Sequence, residues 1–363
     1  MRIINIVGAR PNFMKIAPLM RAYTAHAEIE PLLIHTGQHY DHAMSRLFFD
    51  ELGIPRPDLN LEVGSASHAV QTAEIMLRFE KVCLERVPDW VVVVGDVNST
   101  VACGLVAVKL GIKLAHVEAG LRSFDRSMPE EVNRLLTDSI SDLLFVTEDS
   151  GMRNLEQEGV APAKVHLVGN VMIDTLLANR EKADASRVLD DLGLDDRGFA
   201  ALTLHRPSNV DDSAIFGGLL DAFEEIAVQM PIIFPAHPRT VKQIDSLGLG
   251  DRLSAIERLR VIDPLGYLDF LKLMAHARVV LTDSGGIQEE TTILKVPCVT
   301  LRENTERPVT CDVGGNQLAG IDPERILEAY RKALTIVPEQ IGTPPLWDGK
   351  AAERIAGLLA REA

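Results

Sequence analysis

The sequence is short of several features that would each place a protein in a class. Only four of its 363 residues are cysteines, Cys83, Cys103, Cys298 and Cys311, and no two of them form a CxxC pair. That spacing supplies neither a zinc site nor a disulfide framework, so four reduced thiols in a cytoplasmic protein are expected. No run approaches the ~18 apolar residues that a membrane span requires. The chain opens on a strand-like run rather than a signal peptide. Positive charge is also scarce: 37 Lys and Arg stand against 52 Asp and Glu, a net charge of −15. Such a surface repels nucleic acid and anionic lipid, so neither is expected as a partner and any phosphate site is local. Two nucleotide fingerprints are missing as well. There is no GxGxxG, and the one Gly-Lys pair, Gly349-Lys350, lacks the Ser or Thr of a P-loop.

What is present is an alternation. Short apolar runs at Ile3–Val7, Leu32–Ile34, Val91–Val94, Leu114–Val117, Leu143–Val146 and Val165–Val168 are separated by amphipathic stretches. A second block has runs at Ala200–Leu204, Ile232–Phe234, Val279–Leu281 and Cys298–Leu301. This is the pattern of βα units whose parallel sheets are covered on both faces. It predicts an α/β protein of two Rossmann-like, doubly wound domains facing across a cleft. The first covers residues 1–168 and the second 169–348, dividing near "VGNVMIDTLL". A last helix, near Ala351–Ala360, puts Ile355, Leu358 and Leu359 on one face.

Ligands of such sheets bind beyond the carboxyl ends of the strands. The residues there are Gly8-Ala9-Arg10, Gly37-Gln38-His39, Gly95-Asp96, Glu118-Ala119-Gly120, His205-Arg206, His237-Pro238-Arg239 and Asp283-Ser284-Gly285-Gly286. Ordinary turns would be Gly, Asn and Ser; this layer is rich in Arg, His and acids. In "GARPNFMK" Arg10 offers a fork for phosphate and Lys15 lies one turn into a helix. The three His of "HTGQHYDH" straddle Gly37, which breaks the helix that metal ligands would need, so no metal is expected. Asp96 in "GDVNST" suits a helix cap, whereas Glu118 in "HVEAGLRS" follows an apolar strand where an unpaired carboxylate is costly. Glu130 and Glu131 open a helix in "MPEEVNR". If Asp96, Glu118 and Glu130 converge, crowding and desolvation fit them for proton transfer.

"LTDSGGIQEE" (281–290) holds a strand, a bare turn and two acids in one stretch. Ser284, Gly285 and Gly286 present N–H groups at a helix start to a phosphate. Glu290, a turn further on, is placed to accept the hydroxyls of an adjoining ribose, and Glu289 faces elsewhere. The two demands fit one ligand, a nucleoside diphosphate.

Taken in order, "GARPNFMKIAPL", "GDVNST", "HVEAGLRS", "MPEEVNR", "LTDSGGIQEE" and "ENTERP" resemble the non-hydrolysing UDP-N-acetylglucosamine 2-epimerases. The resemblance implies the GT-B architecture, with a C-terminal helix (349–363) crossing back to the first domain, a homodimer, and no cofactor. It places Arg10, Lys15, Asp96, Glu118, His205, Ser284, Gly285, Gly286, Glu290 and Arg307 around a UDP-sugar, with Leu265 to Phe270 at the uracil. Asp96, Glu118 and Glu130 match the family's catalytic acids, and His205 joins the catalytic set. The implied reaction interconverts UDP-N-acetylglucosamine and UDP-N-acetylmannosamine for polysaccharide synthesis. A 2-epimerase of a UDP-2,3-diacetamido uronic acid, which shares the "HTGQHYD" loop style, and a GT-B glycosyltransferase are the alternatives. The chain departs from the family's pattern at Asn12, Tyr40 and Pro207-Ser208, where relatives carry Glu, Arg and Arg-Glu.

Overall fold

Seven parallel strands of the first unit lie in the order β3-β2-β1-β4-β5-β6-β7. They are β1 (Arg2–Val7), β2 (Glu30–His35), β3 (Leu59–Asn60), β4 (Trp90–Val94), β5 (Lys113–Ala119), β6 (Leu143–Val146) and β7 (Val165–Leu167). The computed structural model describes residues 1–37, 53 and 55–363. The strands are the β-branched runs of the sequence, and their central members are buried on both faces, Val91 to Val94 completely. Register is set there: Ile4 pairs with Leu32 on one side and Val91 on the other. Helices cover the sheet, among them α1 (Arg10–Tyr23), α2 (His68–Arg86), α3 (Asn98–Lys109), α4 (Pro129–Ile140), α5 (Asp149–Gln157) and α6 (Val171–Asp184).

The second unit repeats the plan with six parallel strands in the order β10-β9-β8-β11-β12-β13. These are β8 (Ala200–Thr203), β9 (Ile232–Pro235), β10 (Leu259–Ile262), β11 (Val279–Thr282), β12 (Cys298–Thr300) and β13 (Asn316–Leu318). Its core joins Leu202, Phe216, Phe223, Phe234, Leu281 and Tyr330. The chain divides into Met1–Ala178 with Pro345–Ala363, and Asn179–Pro344.

Three strands have no counterpart among the apolar runs of the sequence: β3, β10 and β13. Each is an outer strand of its sheet, and an edge needs little apolar surface. In β10 Arg260 and Val261 are exposed. The terminal helix Ala351–Ala360 buries Ile355, Ala356 and Leu359 against the first unit, leaving Leu358 half-buried. Asp174 fixes its start by accepting the N–H groups of Ala351 at 3.1 Å and Ala352 at 2.7 Å. The indole of Trp347 donates to the Thr147 carbonyl at 2.9 Å.

Candidate active site

In both sheets the winding reverses beside the first strand, between β1 and β4 in one and between β8 and β11 in the other. Such switch points are where open α/β sheets take ligands. Gly8 and Arg10 follow β1, Gly95 and Asp96 follow β4, His205 and Arg206 follow β8, and Asp283 to Gly286 follow β11.

At the first switch point the backbone is packed too tightly for side chains. A Cβ on Gly8 would lie 2.1 Å from the Ser99 Oγ. Asn12 ties the turn together: its Oδ1 accepts the Ala9 N–H at 2.9 Å, and its Nδ2 donates to the Val94 carbonyl at 3.1 Å. An ionised Glu, which has no donor, could not make that second bond. Arg10 opens α1, and its side chain lies outside the described residues. Lys15 is buried and ion-paired with Glu118.

Glu118 is the unusual residue here. It is 3% exposed and held at φ 70° where the β5–β6 register shifts. A left-handed glutamate stores strain of about 1–3 kcal/mol, which the surrounding structure must impose. Its Oε2 meets Lys15, and its Oε1 is buried with no hydrogen-bond partner among the described residues. Gly95 closes over the pair: a Cβ there would lie 3.1 Å from the Lys15 Nζ and 3.4 Å from the Glu118 Oε2.

Asp96 does not cap α3. The cap position is Val97, and the Asp96 carboxylate pairs instead with Arg134 of α4. Asn133 of α4 also donates to the Asp96 carbonyl, at 2.8 Å. The two acids that open α4 separate by role. Glu131 is buried, accepts the N–H groups of Ser123 at 3.0 Å and Phe124 at 2.9 Å, and pairs with Arg134 at 2.6 Å. Glu130 is half-buried and in no ion pair among the described residues. Arg134 therefore ties Asp96 to Glu131, and Glu130 lies on the same helix one turn before it.

Like Arg134, the buried residues His116, Arg122 and Asp138 of this region were not singled out in the sequence. The His116 ring reaches the Gly95 carbonyl at 2.8 Å and the Asp138 Oδ1 at 2.6 Å. The other Asp138 oxygen takes the Gly120 N–H at 3.0 Å and the Arg122 Nη1 at 2.7 Å. Their signal was a histidine and an arginine flanking Glu118 in "HVEAGLRS".

At the second switch point Asp283 is wholly buried and saturated with donors. It accepts the N–H groups of His205 at 3.0 Å and Arg206 at 2.9 Å, and the His205 ring at 2.9 Å. Burial raises its pKa, but the His205 ring and the two N–H groups outweigh that and hold it below the usual carboxylate range. The His205 side chain remains 56% exposed. Ser284, Gly285 and Gly286 are half-buried at the start of the helix Gly285–Leu294. Glu289 is buried and ion-paired with Arg307 at 2.6 Å. A Cβ on Gly285 would lie 2.6 Å from the Arg307 Nη1, so glycine there admits the guanidinium. Glu290 is buried and accepts the Tyr267 hydroxyl at 3.1 Å. Burial, helped by Glu289 and opposed by that hydroxyl, pushes Glu290 up to about 7. Leu265 and Phe270 are half-buried around the start of the helix Tyr267–His276. His39, Tyr40 and His42 lie outside the described residues, while His35 ends β2 and stacks on Phe13 at 5.1 Å.

The UDP-N-acetylglucosamine 2-epimerase family model matches residues 21–360. The UDP-N-acetylglucosamine 2-epimerase of Methanococcus maripaludis is 43% identical across 98% of this chain and 98% of its own. The UDP-2,3-diacetamido-2,3-dideoxy-D-glucuronate 2-epimerase of Pseudomonas aeruginosa is 41% identical across 99% of this chain and 100% of its own. The crystal structure of the Methanocaldococcus jannaschii UDP-GlcNAc 2-epimerase with UDP-GlcNAc and UDP matches with a TM-score of 0.92 at 42% identity, covering 99% and 100% of the two chains.

Proposed function

The chain belongs to the UDP-N-acetylglucosamine 2-epimerase family, and we propose that it interconverts UDP-N-acetylglucosamine and UDP-N-acetylmannosamine. The observation that carries the reading is Glu118. A buried carboxylate with one oxygen on Lys15 and the other without a partner among the described residues is a proton acceptor kept ready at a structural cost.

The C2 proton of the sugar is not beside a carbonyl, so simple removal and return is unfavourable. Elimination avoids the difficulty. A carboxylate takes the C2 proton, the C1–O bond breaks with its electron pair leaving on UDP, and a 2-acetamidoglucal forms. Re-addition of UDP at C1 with protonation of C2 from the other face gives the epimer. Asp96, Glu118 and Glu130 supply proton transfer. Arg10, Lys15, His205, Arg307 and the N–H groups at Ser284 to Gly286 stabilise the charge on departing UDP. Glu290 accepts the ribose hydroxyls, and Leu265 to Phe270 lie at the uracil. The product would serve cell-surface polysaccharide synthesis, made by a cytoplasmic homodimer.

The 41% identity to the diacetamido-glucuronate epimerase supports a second reading, the same chemistry on a sugar bearing a C5 carboxylate. Separate incubations with UDP-N-acetylglucosamine and with the UDP-2,3-diacetamido uronic acid, each followed by proton NMR in D₂O, test both. Conversion with deuterium entering C2 is expected. Turnover of only the diacetamido uronate would favour the second reading, and hydrogen retained at C2 would overturn the elimination mechanism.

A further inference from the structure

Asp96 follows β4 and Glu118 lies near the end of neighbouring β5, and the backbone beside both is left-handed. Gly95 has φ 66°, Glu118 φ 70° and Gly120 φ 80°. Something must hold these strained turns at a fixed separation. Hydrogen bonds from β5 do so at every backbone group of Gly95. Its N–H donates to the Val117 carbonyl at 3.0 Å, and its carbonyl faces the His116 Nε2 at 2.8 Å. The opposite ring nitrogen meets Asp138, whose other oxygen holds the Gly120 N–H at 3.0 Å. The chain of bonds therefore runs from the Asp96 turn, through His116 and Asp138, to the turn after Glu118.

Both atoms facing the ring are acceptors. A neutral imidazole donates from one nitrogen only, and its other lone pair would point at an oxygen. The imidazolium satisfies both contacts, with Asp138 as its counter-charge and Arg122, backed by Glu158 at 2.7 Å, completing the buried group. We propose that His116, buried as an imidazolium between the Gly95 carbonyl and Asp138, is a positioning residue that fixes Asp96 relative to Glu118. It touches no substrate. It acts by keeping two carboxylates in register, and it rests on the epimerase reading above.

The matched donors and acceptors give a test that bulk alone would not pass. His116→Gln puts an amide oxygen against one of the two acceptors, and the loop must shift. A misplacement of ~1 Å costs about 10²-fold, so kcat should fall by that order while KM stays within about threefold. Adding Asp138→Asn restores the matching: the glutamine amide donates to Gly95, the asparagine amide donates to the glutamine oxygen, and the asparagine oxygen keeps Gly120. The double variant should regain about tenfold in kcat over the single one, although it lacks a buried charge.

A single variant with kcat within threefold of wild type overturns the proposal. So does a double variant no faster than the single one. Nitrogen NMR of the His116 ring in the wild-type protein at pH 8 decides if the variants do not fold: two protonated nitrogens support the proposal, and one bare nitrogen overturns it. Wild-type protein that fails to convert any UDP-sugar would overturn the epimerase reading instead, leaving the ring measurement intact.

Discussion

The two units are wound alike and use charge in opposite senses. At the first switch point the cations are buried and serve as supports: Lys15 under Glu118, Arg134 under Asp96, Arg122 behind Asp138. At the second the carboxylates are the buried supports. Asp283 sits beneath His205 and Arg206, and Glu289 and Glu306 sit around Arg307. A shared fold thus presents carboxylates in one unit and cations with N–H groups in the other. The first arrangement suits proton transfer and the second an anion, and the contrast is clearest where one partner reaches solvent: the Asp96 carboxylate stands out from buried Arg134, and the His205 ring from buried Asp283.

The largest effect should come from the presenting residue of the first unit. Glu118→Gln keeps the shape and leaves Lys15 a hydrogen-bond partner, but it cannot take a proton. Loss of a general acid or base lowers kcat by about 10²–10⁴-fold. Steady-state kinetics beside a circular-dichroism melt checks this, and a folded variant with near-normal kcat would remove Glu118 from the mechanism.

A supporting residue of the second unit should behave differently. Asp283→Ala strands several buried donors, and breaking such a network costs about 3–5 kcal/mol. The folded pKa of Asp283 lies below its unfolded value, so its stabilisation is full above the unfolded pKa of about 3.9 and is lost as pH falls through the folded one. The gap between variant and wild type in urea unfolding should therefore be widest near pH 7 and narrow below about pH 4. A gap that widens in acid would contradict the assignment of Asp283 as an ionised support.

These roles were unequally legible in the sequence. The buried strands were plain because parallel sheets need continuous apolar runs, and the edge strands β3, β10 and β13 were not, because an edge can do without them. Glu118 stood out as an acid after an apolar strand. Asp96 read equally well as a helix cap, and only its bond to Arg134, 38 residues away, gives it another place. Glu130 and Glu131 are the same residue type in the same helical turn. Which of them is buried depends on α4's packing against the 123–124 turn. The His116–Asp138 pair was hidden for a similar reason: two residues 22 positions apart meet only once β5 and α4 are in place. Local chemistry survives in a sequence, whereas a choice between near-equivalent neighbours is made by tertiary packing.

The comparison is sharpest, and the expected effect smallest, at Glu290, a carboxylate of the second unit that the functional reading asks to face a ligand. Here burial and Glu289 oppose ionisation, and the group titrates at about 7. Its folded pKa is raised, so the protein loses stability as pH rises from about 4.5 to about 7, and Glu290→Gln removes that slope. Ribose hydroxyls are donors that prefer the ionised carboxylate, so UDP binding should follow the opposite trend. Affinity should fall by up to about tenfold between pH 8 and pH 6, since a group raised to about 7 is about nine-tenths ionised at the first pH and about one-tenth at the second. UDP titrates its own phosphate in that range, and Glu290→Gln isolates this contribution because Gln cannot ionise. Calorimetry at both pH values measures the difference. If wild type and Glu290→Gln show parallel pH dependence, Glu290 does not meet the ribose, and its bond to Tyr267 is purely internal to the unit.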